Sequence, residues 1–456
     1  MFTKYRLLHF VGIGGVGMSG IAEVLHNLGY TITGSDMKGS DISRRLERIG
    51  IKVFIGHEAS NVADAHVVVI SSAVAPDNPE VLAAKSKGIP VIPRAEMLAE
   101  LGRLKYGILV AGAHGKTTTT SLVATILGDA GVDPTVVIGG RLNSMGTNAK
   151  LGQGDFLVAE ADESDGSFLK LSPTIAVITN IDKEHMDFFK DMEALKNAFL
   201  SFINKVPFYG IAVVCIENSY IRELLPSIGR RVLTYGLTDA ADIYAKNIKR
   251  NGVHMTFEAV YKKKPLGIFT IPIPGLHNVL NSIAAIAVAL ELDIPVSDIS
   301  KALGSFGGIH RRFELKGEIN GIKVFDDYGH HPSEIMATVR AAKECFPENR
   351  IVVLFQPHRY TRTRGLMDEF ASCFEGADII FLLDIYAAGE NPIEGVSSGA
   401  LLKKMNDMGL KNIQYLDDAS SVIEKVADGI KPGDVLITLG AGNVYRFGEA
   451  VLERLK

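Results

Sequence analysis

The sequence predicts an α/β protein of three domains, each built around a mostly parallel β-sheet. Short runs rich in valine and isoleucine alternate with stretches of helical period along most of the chain, which is typical of βαβ units. Runs such as Ile108–Ala111 and Ile351–Phe355 are continuously apolar, as strands covered on both faces must be. The length of 456 residues suggests three domains, at about 150 residues per domain.

The alternation of strands and helices breaks at two places, of which the first marks a domain boundary and the second an insertion. Near residues 93–105 a helical stretch is followed by a new strand and a second glycine-rich turn. From Asp242 to Pro274 the pattern changes to residue-by-residue alternation, which predicts antiparallel strands inserted into the second domain. A hairpin with Asn320-Gly321 at its turn follows. We expect domains over residues 1–103, 104–311 and 312–456.

Composition argues against several classes of protein. The chain has 48 Lys+Arg and 52 Asp+Glu, a net charge of −4, whereas a dedicated nucleic-acid binder usually has a basic bias. The three cysteines are too few and too far apart for a disulfide framework or a cysteine zinc site, and we expect them to be buried in a reducing compartment. No apolar run approaches the ~18 residues of a membrane span. The glycines at 12, 14, 15 and 17 interrupt the apolar segment that a signal peptide needs, so we expect a cytoplasmic protein.

A glycine-rich turn over residues 12–17, the glycine loop, follows the first predicted strand. Gly12, Gly14 and Gly17 form a GxGxxG pattern before a helical stretch, and Asp36 closes the next strand. This is the dinucleotide fingerprint, in which glycine lets the backbone approach a pyrophosphate and the helix N-terminus supplies N–H groups. The pattern specifies a pyrophosphate and a ribose-like hydroxyl, which a UDP-sugar presents as well as NAD does. A tight turn without a ligand is the alternative.

A second turn over residues 112–117, the phosphate loop, follows the apolar strand Tyr106–Ala111. It lacks the leading glycine of the full P-loop pattern, because Val110 stands there. Its backbone N–H groups can still form an anion nest. Lys116 can neutralise the charge of β- and γ-phosphates, and the Thr117 hydroxyl can bind Mg²⁺. A chance Gly-Lys-Thr is common, but its position between a strand and a helix favours a nucleotide site.

Acidic segments follow the next two predicted strands. The strand over 155–159 leads into an acidic segment, residues 160–165, with four acids in six positions. A solvated loop would explain these acids, but beside a phosphate loop they are better interpreted as Mg²⁺ ligands. The strand over 175–179 leads into residues 180–187, where His185 is a candidate ligand of a second metal ion. A lone histidine is more often structural, so this site is the weaker prediction.

A basic cluster follows the predicted strand Ile351–Phe355. Residues 356–364 contain Arg359, Arg362 and Arg364, and ligands bind at the carboxyl ends of strands in open α/β sheets. The forked donors of arginine suit a carboxylate or a phosphate. An RNA-binding patch is disfavoured by the acidic balance of the whole chain, and a solvated basic loop remains open.

Together these motifs resemble those of the Mur ligase family, the ATP-dependent amide-forming enzymes of peptidoglycan synthesis. The matching segments extend over essentially the whole chain and lie at residues 112–117, 160–165, 180–187, 277–281, 310–313 and 326–332. The opening glycine segment and residues 355–362 are similar to members that use L-alanine. A sister enzyme that attaches a whole tripeptide to the same nucleotide sugar lacks the His-Arg-Tyr-Thr-Arg segment and is the alternative.

The resemblance implies an architecture and a reaction. The first domain would be Rossmann-like and bind UDP, the central one a P-loop ATPase-type domain with an antiparallel insertion, and the last a Rossmann-like α/β domain that binds the amino acid. ATP would phosphorylate the lactyl carboxylate of UDP-N-acetylmuramate, and the amine of L-alanine would attack the resulting acyl phosphate. The implied cofactors are ATP and two Mg²⁺ ions, with Mn²⁺ as a substitute. The small-molecule substrates are then UDP-N-acetylmuramate, L-alanine and ATP. We expect no nucleic-acid or membrane partner. The protein would be a monomer or a homodimer.

The resemblance also implies roles for individual residues. The catalytic set is Lys116, Glu160, His185, Arg312 and Arg359. The residues expected to bind ATP are Gly112, Ala113, His114, Gly115, Lys116, Thr117, Thr118, Asn278, Asn281, Arg312 and Asp327. Those expected to bind the UDP-sugar are Gly12, Gly14, Gly15, Val16, Gly17, Ser19, Asp36, Ser71 and Ser72. L-Alanine is expected at Tyr328, His358, Arg359 and Arg362, and metal ions at Thr117, Glu160 and His185.

Two departures from the family pattern concern the central domain. Ala113 stands where many members have threonine, which matters little because the loop acts there through its backbone. Several sister ligases use a carbamylated lysine after the metal-binding histidine. Lys196 lies in that region, but its spacing is too short, and we do not expect it to have that role.

Two other classes of protein remain as alternatives. An NAD-linked dehydrogenase would account for the glycine loop and Asp36, but it has no use for Lys116 and the acids beside it. A nucleotide-gated binding protein would bind ATP without alanine-dependent release of ADP.

Overall fold

The structure, a computed structural model, describes residues 6–71, 73–103, 105–142, 147–186, 188–418 and 420–456. The chain forms two compact units. The first comprises Met1–Asn247, Phe257–Thr270 and Val279–Gly307, and the second comprises Ile248–Thr256, Ile271–Asn278 and Gly308–Lys456. Within the described ranges the strands form three sheets, and none of the helices there has both the length and the apolar character needed to cross a membrane.

The first sheet has five parallel strands in the order β3-β2-β1-β4-β5. The strands are β1 (Leu7–Val11), β2 (Thr31–Asp36), β3 (Lys52–Ile55), β4 (Val67–Ile70) and β5 (Val91–Pro93). The helices are α1 (Val16–Asn27), α2 (Asp41–Arg48), α3 (Pro79–Ser86) and α4 (Arg94–Gly102). The strand order reverses between β1 and β4, so the segments that follow these two strands lie at the switch point where α/β sheets bind ligands.

The second sheet has ten strands in the order β15-β14-β13-β12-β11-β10-β6-β9-β7-β8. Its strands are β6 (Tyr106–Ala111), β7 (Thr135–Leu142), β8 (Thr147–Lys150), β9 (Phe156–Glu160), β10 (Ile175–Ile178), β11 (Ile211–Cys215), β12 (Val232–Gly236), β13 (Ile243–Asn251), β14 (His254–Tyr261) and β15 (Lys264–Ile271). The helices are α5 (Lys116–Asp129), α6 (Met192–Ile203), α7 (Ser219–Leu224), α8 (Leu276–Glu291) and α9 (Val296–Gly304). Strand β6 pairs in parallel with β10 on one side and β9 on the other. The two acidic segments therefore flank the phosphate loop.

The inserted strands β13, β14 and β15 follow one another through two-residue turns. Such short turns join antiparallel neighbours, because a parallel pair needs a long crossover. Gly252, Lys262 and Lys263 supply the positive φ angles of 59°, 47° and 66° at these turns. The antiparallel insertion predicted between Asp242 and Pro274 is thus present.

The third sheet has six strands in the order β16-β17-β21-β18-β19-β20. Its strands are β16 (Glu314–Ile319), β17 (Ile322–Asp327), β18 (Ile351–Phe355), β19 (Ile379–Leu383), β20 (Ile413–Leu416) and β21 (Val435–Leu439). The helices are α10 (Pro332–Cys345), α11 (Tyr360–Gly365), α12 (Met367–Ser372), α13 (Ser398–Asp407), α14 (Val422–Gly429) and α15 (Tyr445–Arg454). Strands β16 and β17 form the predicted antiparallel hairpin, and Asn320 and Gly321 have φ angles of 50° and 77° at its turn.

Burial on both faces explains why the central strands are continuously apolar. Along β18, Ile351, Val353 and Phe355 belong to one buried cluster. Val352 and Leu354 belong to the cluster on the other face. Alternate residues of a strand point to opposite faces, so a strand with helices on both sides has no polar face.

The strands predicted before the phosphate loop, the two acidic segments and the basic cluster are present, with ends that agree to within one residue. The strand predicted over 155–159 runs from Phe156 to Glu160, and the one predicted over 175–179 runs from Ile175 to Ile178. Cys215 and Cys373 are buried as expected, whereas Cys345 is only partly buried.

A buried carboxylate ties α3 to the first sheet. Glu80 is fully buried and accepts hydrogen bonds from the Ser35 hydroxyl (2.5 Å) and the Asn61 amide (2.6 Å). His57 Nδ1 lies 3.2 Å from the same carboxylate, and His9 Nε2 lies 3.7 Å away. Burial opposes ionisation, but His9, Ser35 and Asn61 outweigh it and lower the pKa of Glu80 to about 2.

We predict that Glu80→Ala lowers the free energy of unfolding by about 3 kcal/mol near neutral pH, because it leaves buried polar partners unpaired. The contribution of Glu80 should be complete above its ordinary pKa of 4.5 and fade as the pH falls towards about 2, since protonation costs the folded state its charged hydrogen bonds. Urea unfolding between about pH 7 and pH 3 measures this difference. Glu58→Ala, at an exposed residue, is the control. If the difference in free energy of unfolding between the wild type and Glu80→Ala did not change with pH, the charged state assigned to Glu80 would be wrong.

Candidate active site

Two positions of the phosphate loop require glycine, because neighbouring side chains lie too close to leave room for a Cβ atom. Gly115 has a φ angle of 80°, and a Cβ there would lie 2.6 Å from Asn281 Oδ1. Gly112 has a φ angle of 136°, and a Cβ there would overlap the Thr179 hydroxyl. Both positions therefore exclude any residue with a side chain.

The segment after β10 holds the phosphate loop in place. The hydroxyl of Thr179 donates to the carbonyl of His114 (2.6 Å). The side chain of Asn180 accepts from the His114 backbone N–H (2.8 Å) and donates to its carbonyl (3.0 Å). The imidazole Nε2 of His114 lies 3.0 Å from Asp182 Oδ2. The sequence did not reveal this support, because the P-loop pattern describes only the loop itself.

Lys116 lies folded against its own loop. Its ammonium donates to the carbonyls of Gly112 (2.5 Å) and Ala113 (3.2 Å) and to both carboxylate oxygens of Glu163 (2.9 and 3.1 Å). Burial disfavours the charge, but Glu163 and Asp162 outweigh it and raise the pKa of Lys116. Lys116 is therefore a permanent cation at the strand edge where the prediction puts the phosphates.

Two carboxylates and one imidazole converge beside Lys116. Glu163, Glu184 and His185 each offer a ligand atom, and these atoms lie within 4.8 Å of one another. His185 adopts a φ angle of 57°, which is uncommon for a residue with a side chain. Oxygen donors with one imidazole suit a divalent cation such as Mg²⁺ or Mn²⁺. The sequence analysis named His185 and interpreted the acids of residues 160–165 as Mg²⁺ ligands, but it singled out Glu160 rather than Glu163, and it did not single out Glu184.

The other predicted metal ligands, Thr117 and Glu160, lie at the same edge of the second sheet. Glu160 ends β9 opposite Val110 of β6, and its carboxylate accepts from the Gly139 N–H (2.7 Å). Thr117 and Thr118 lie in the first turn of α5 and are partly buried. Metal binding by Thr117 and Glu160 stays a prediction.

The two asparagines predicted to face the adenine lie on α8. Asn281 is 6% exposed and accepts a hydrogen bond from the Thr119 hydroxyl (3.2 Å). Its side chain also packs against Gly115, as the close approach described above shows. The amide of Asn278 donates to the Pro274 carbonyl (2.6 Å). Contact of either side chain with a base stays a prediction.

Lys196 forms ion pairs with Glu193 (2.5 Å) and Glu223 (3.0 Å). Hydrogen bonds to these two carboxylates raise the pKa of Lys196. They therefore favour the ammonium over the neutral amine that carbamylation requires.

The glycine loop lies at the switch point of the first sheet. The Gly14 N–H donates to Asp36 Oδ2 (2.9 Å), and a Cβ at residue 14 would lie 2.7 Å from this oxygen. Ser71 follows β4, and its Cβ lies 3.3 Å from the position of a Cβ at Gly12. The structure thus brings Gly12, Gly14, Asp36 and Ser71 together. Gly15 is the N-cap of α1 and carries no side-chain cap, which leaves the first-turn N–H groups for a ligand.

Three further residues predicted at the glycine loop differ in their settings. Val16 is 38% exposed. Ser19 is fully buried, and its hydroxyl donates to the Val16 carbonyl (2.9 Å). A hydrogen bond donated by Ser19 to a ligand would require exchange of this partner. Ser72 lies outside the described residues.

The second unit contains a row of four aromatic rings. Tyr328 meets His330 edge-on with centroids 5.4 Å apart, and His330 lies 6.1 Å from His358. His358 stacks on Tyr386 at 5.4 Å and an interplanar angle of 8°. Tyr328 and His358 were predicted at the amino-acid site. Tyr386 was missed, because a single tyrosine after β19 gives no recognisable motif.

Two arginines border this row of rings. The backbone N–H of Arg359 donates to the Tyr386 carbonyl (2.9 Å), and Arg359 has a φ angle of 74°. Arg362 Nη1 donates to the His358 carbonyl (3.2 Å). Burial, reinforced by Arg362 and Arg359, lowers the pKa of His358 to about 4. The imidazole is therefore neutral near pH 7, and the two guanidinium groups give this site a positive charge suited to a carboxylate.

The predicted pair Arg312 and Asp327 lies in the same unit. Asp327 is buried and accepts from the backbone N–H groups of Phe313 (2.8 Å) and Gly329 (2.7 Å). Burial raises its pKa to about 6, although Arg312 opposes this shift. The Arg312 guanidinium lies 5.4 Å from the ring centroid of Tyr328. The structure brings Arg312 and Tyr328 together, and contact of Arg312 or Asp327 with ATP stays a prediction.

Three family models match successive parts of the chain. Residues 7–106 match the Mur ligase family catalytic domain. Residues 110–289 match the Mur ligase middle domain, and residues 311–442 match the glutamate ligase domain of Mur ligases.

Relatives and solved structures match the chain over nearly its full length. A UDP-N-acetylmuramate–L-alanine ligase of a Geobacter species is 59% identical over 100% of this chain and 99% of its own. The crystal structure of the UDP-N-acetylmuramate–alanine ligase of Thermotoga maritima is 29% identical, with a TM-score of 0.84 over 98% of both chains. A murein peptide ligase of Psychrobacter arcticus is 25% identical, with a TM-score of 0.73 over 99% of this chain and 98% of its own. The chain belongs to the Mur ligase family.

Proposed function

We propose that this protein joins the lactyl carboxylate of UDP-N-acetylmuramate to the amine of L-alanine, with conversion of ATP to ADP and phosphate, in peptidoglycan precursor synthesis. The observation that carries the proposal is the phosphate loop, in which Lys116 faces two carboxylates and a histidine at one sheet edge. The full-length similarity to L-alanine ligases supports the choice of substrates. Domain boundaries at 103/104 and 311/312 are part of the same proposal.

The chemistry explains why a phosphate loop is needed. A carboxylate is a poor electrophile, so one of its oxygens first attacks the γ-phosphorus of ATP, and ADP leaves. The neutral amine of L-alanine then attacks the acyl carbon, and inorganic phosphate leaves. Lys116 offsets the repulsion between the anionic acid and the triphosphate.

The donor set of the central domain fits the divalent ions that members of this family use with ATP. Glu163, Glu184 and His185, with Thr117 and Glu160 as predicted ligands, would hold Mg²⁺. Bound Mg²⁺ would supply further neutralisation of phosphate charge.

The site of rings and arginines in the second unit suits the amino acid. Arg359 and Arg362 offer guanidinium donors to its carboxylate. His358 is neutral near pH 7, so it adds no charge that would repel the amino group. This arrangement fixes the carboxylate and leaves the amine free to react.

The reaction itself gives the first test. ADP release should require UDP-N-acetylmuramate and L-alanine together, because the acyl phosphate forms on one substrate and is consumed by the other. A coupled ADP assay with each substrate omitted, and with a tripeptide in place of L-alanine, measures this dependence. Turnover with UDP-N-acetylmuramate and the tripeptide, but not with L-alanine, would favour the sister activity. A change of absorbance at 340 nm with NAD(H), without ADP release, would favour a dehydrogenase.

Lys116→Ala should reduce kcat by about 10³-fold or more, equivalent to roughly 4 kcal/mol of barrier, because it removes a charge placed at the developing phosphate charge. Steady-state kinetics measures the loss, and a single cooperative thermal transition shows that the variant is folded. Lys301→Ala, on the exposed side of α9, is the matched control. A wild-type kcat for Lys116→Ala would remove this residue from the mechanism.

Arg362→Ala should raise the KM for L-alanine by about 10- to 100-fold, as expected for the loss of a charge-assisted hydrogen bond to a carboxylate. The KM values for ATP and UDP-N-acetylmuramate should stay within a factor of two or so, because the site takes only the amino acid. Arg364→Ala, at an exposed residue of the same helix α11, is the control. Equal losses for all three substrates would show that Arg362 has only a structural role.

A further inference from the structure

Arg94 contacts both the glycine loop and the acidic segment of the first unit. It begins α4 directly after β5. A Cβ added at Gly17 would overlap Arg94 Nη1, so the guanidinium occupies the space that this glycine leaves open. The other terminal nitrogen, Nη2, lies 3.3 Å from Asp162 Oδ2 in the acidic segment. One side chain thus contacts both the glycine loop and the segment beside the phosphate loop.

Asp162 is the acidic partner of Arg94. Its Oδ2 accepts from the Arg94 guanidinium (3.3 Å), and its Oδ1 accepts from the backbone N–H of Ser164 (3.1 Å). These two contacts place the carboxylate so that it holds the guanidinium over the first turn of α1. The position of Arg94 thus depends on a residue of the central domain.

The guanidinium is available to a stronger anion. The side chains of Arg94 and Asp162 are 28% and 39% exposed, and ion pairs that reach solvent are weak and exchangeable. Beside it, the first turn of α1 has no side-chain cap. A guanidinium next to helix N-terminal N–H groups is a favourable setting for phosphate oxygens, which arginine binds in a forked geometry.

We infer that Arg94 binds the diphosphate of the nucleotide sugar against the first turn of α1, and that Asp162 positions its guanidinium. The inference rests on the proposed function and adds to it a residue that the fingerprint does not contain. The fingerprint covers β1 to β2, whereas Arg94 reaches the glycine loop from the far edge of the sheet, after β5.

Calorimetric titration of Arg94→Ala with UDP, UDP-N-acetylmuramate and Mg-ADP tests this assignment. The Kd values for UDP and for UDP-N-acetylmuramate should rise by the same factor, about 10- to 100-fold, because both ligands carry the diphosphate. The Kd for Mg-ADP and the melting temperature should not change. Arg94→Lys should recover part of the affinity, since it restores the charge without the fork. Arg103→Ala, at the other end of α4 where Arg103 pairs with Glu100, is the matched control.

Three results would overturn the assignment. A wild-type Kd for UDP in Arg94→Ala would exclude the contact with the diphosphate. A loss confined to UDP-N-acetylmuramate would mean that Arg94 contacts the sugar acid instead. Weaker Mg-ADP binding or a lower melting temperature would indicate a structural role. In each case the wild type would still release ADP with UDP-N-acetylmuramate and L-alanine, whereas failure of the wild type to bind UDP would remove the proposed function as well.

Discussion

The central domain depends on one largely buried positive charge. Lys116 would be unstable at this place without partners, because transfer of an ammonium from water into a protein interior is unfavourable. The carbonyls of Gly112 and Ala113 and the carboxylate of Glu163 provide those partners. The same contacts fix the conformation of the phosphate loop. A triphosphate brings new negative charge to this cation, and this exchange of partners is the physical basis of the proposed chemistry.

Sheet topology brings the acids to that cation. Parallel neighbours end at the same sheet edge, so the segments after β9 and β10 arrive on the two sides of the loop after β6. Glu163 comes from one segment, and Glu184 and His185 come from the other. In the first sheet the switch point between β1 and β4 gathers the glycine loop and Ser71 in the same way. The two predicted anion sites within one unit thus follow from a repeated rule of α/β folds.

Much of the fold could be predicted from the sequence, because buried parallel strands leave continuous apolar runs such as Ile351–Phe355. Asn320-Gly321 was recognisable as a turn, since few residues tolerate its positive φ angles. The choice among the acids was not predictable. The acidic segment has four of them, and spacing alone does not show that Glu163 turns towards Lys116. Tyr386 and Arg94 were missed for a related reason, because their contacts lie with elements distant in sequence.

The most direct test of the account follows the oxygen atoms of the acid. UDP-N-acetylmuramate labelled with ¹⁸O in its lactyl carboxylate is converted with ATP and L-alanine, and the inorganic phosphate is analysed by mass spectrometry. Transfer of the γ-phosphoryl group to the carboxylate predicts one labelled oxygen in each phosphate released. Phosphate free of label, with the amide formed at the normal rate, would contradict the account.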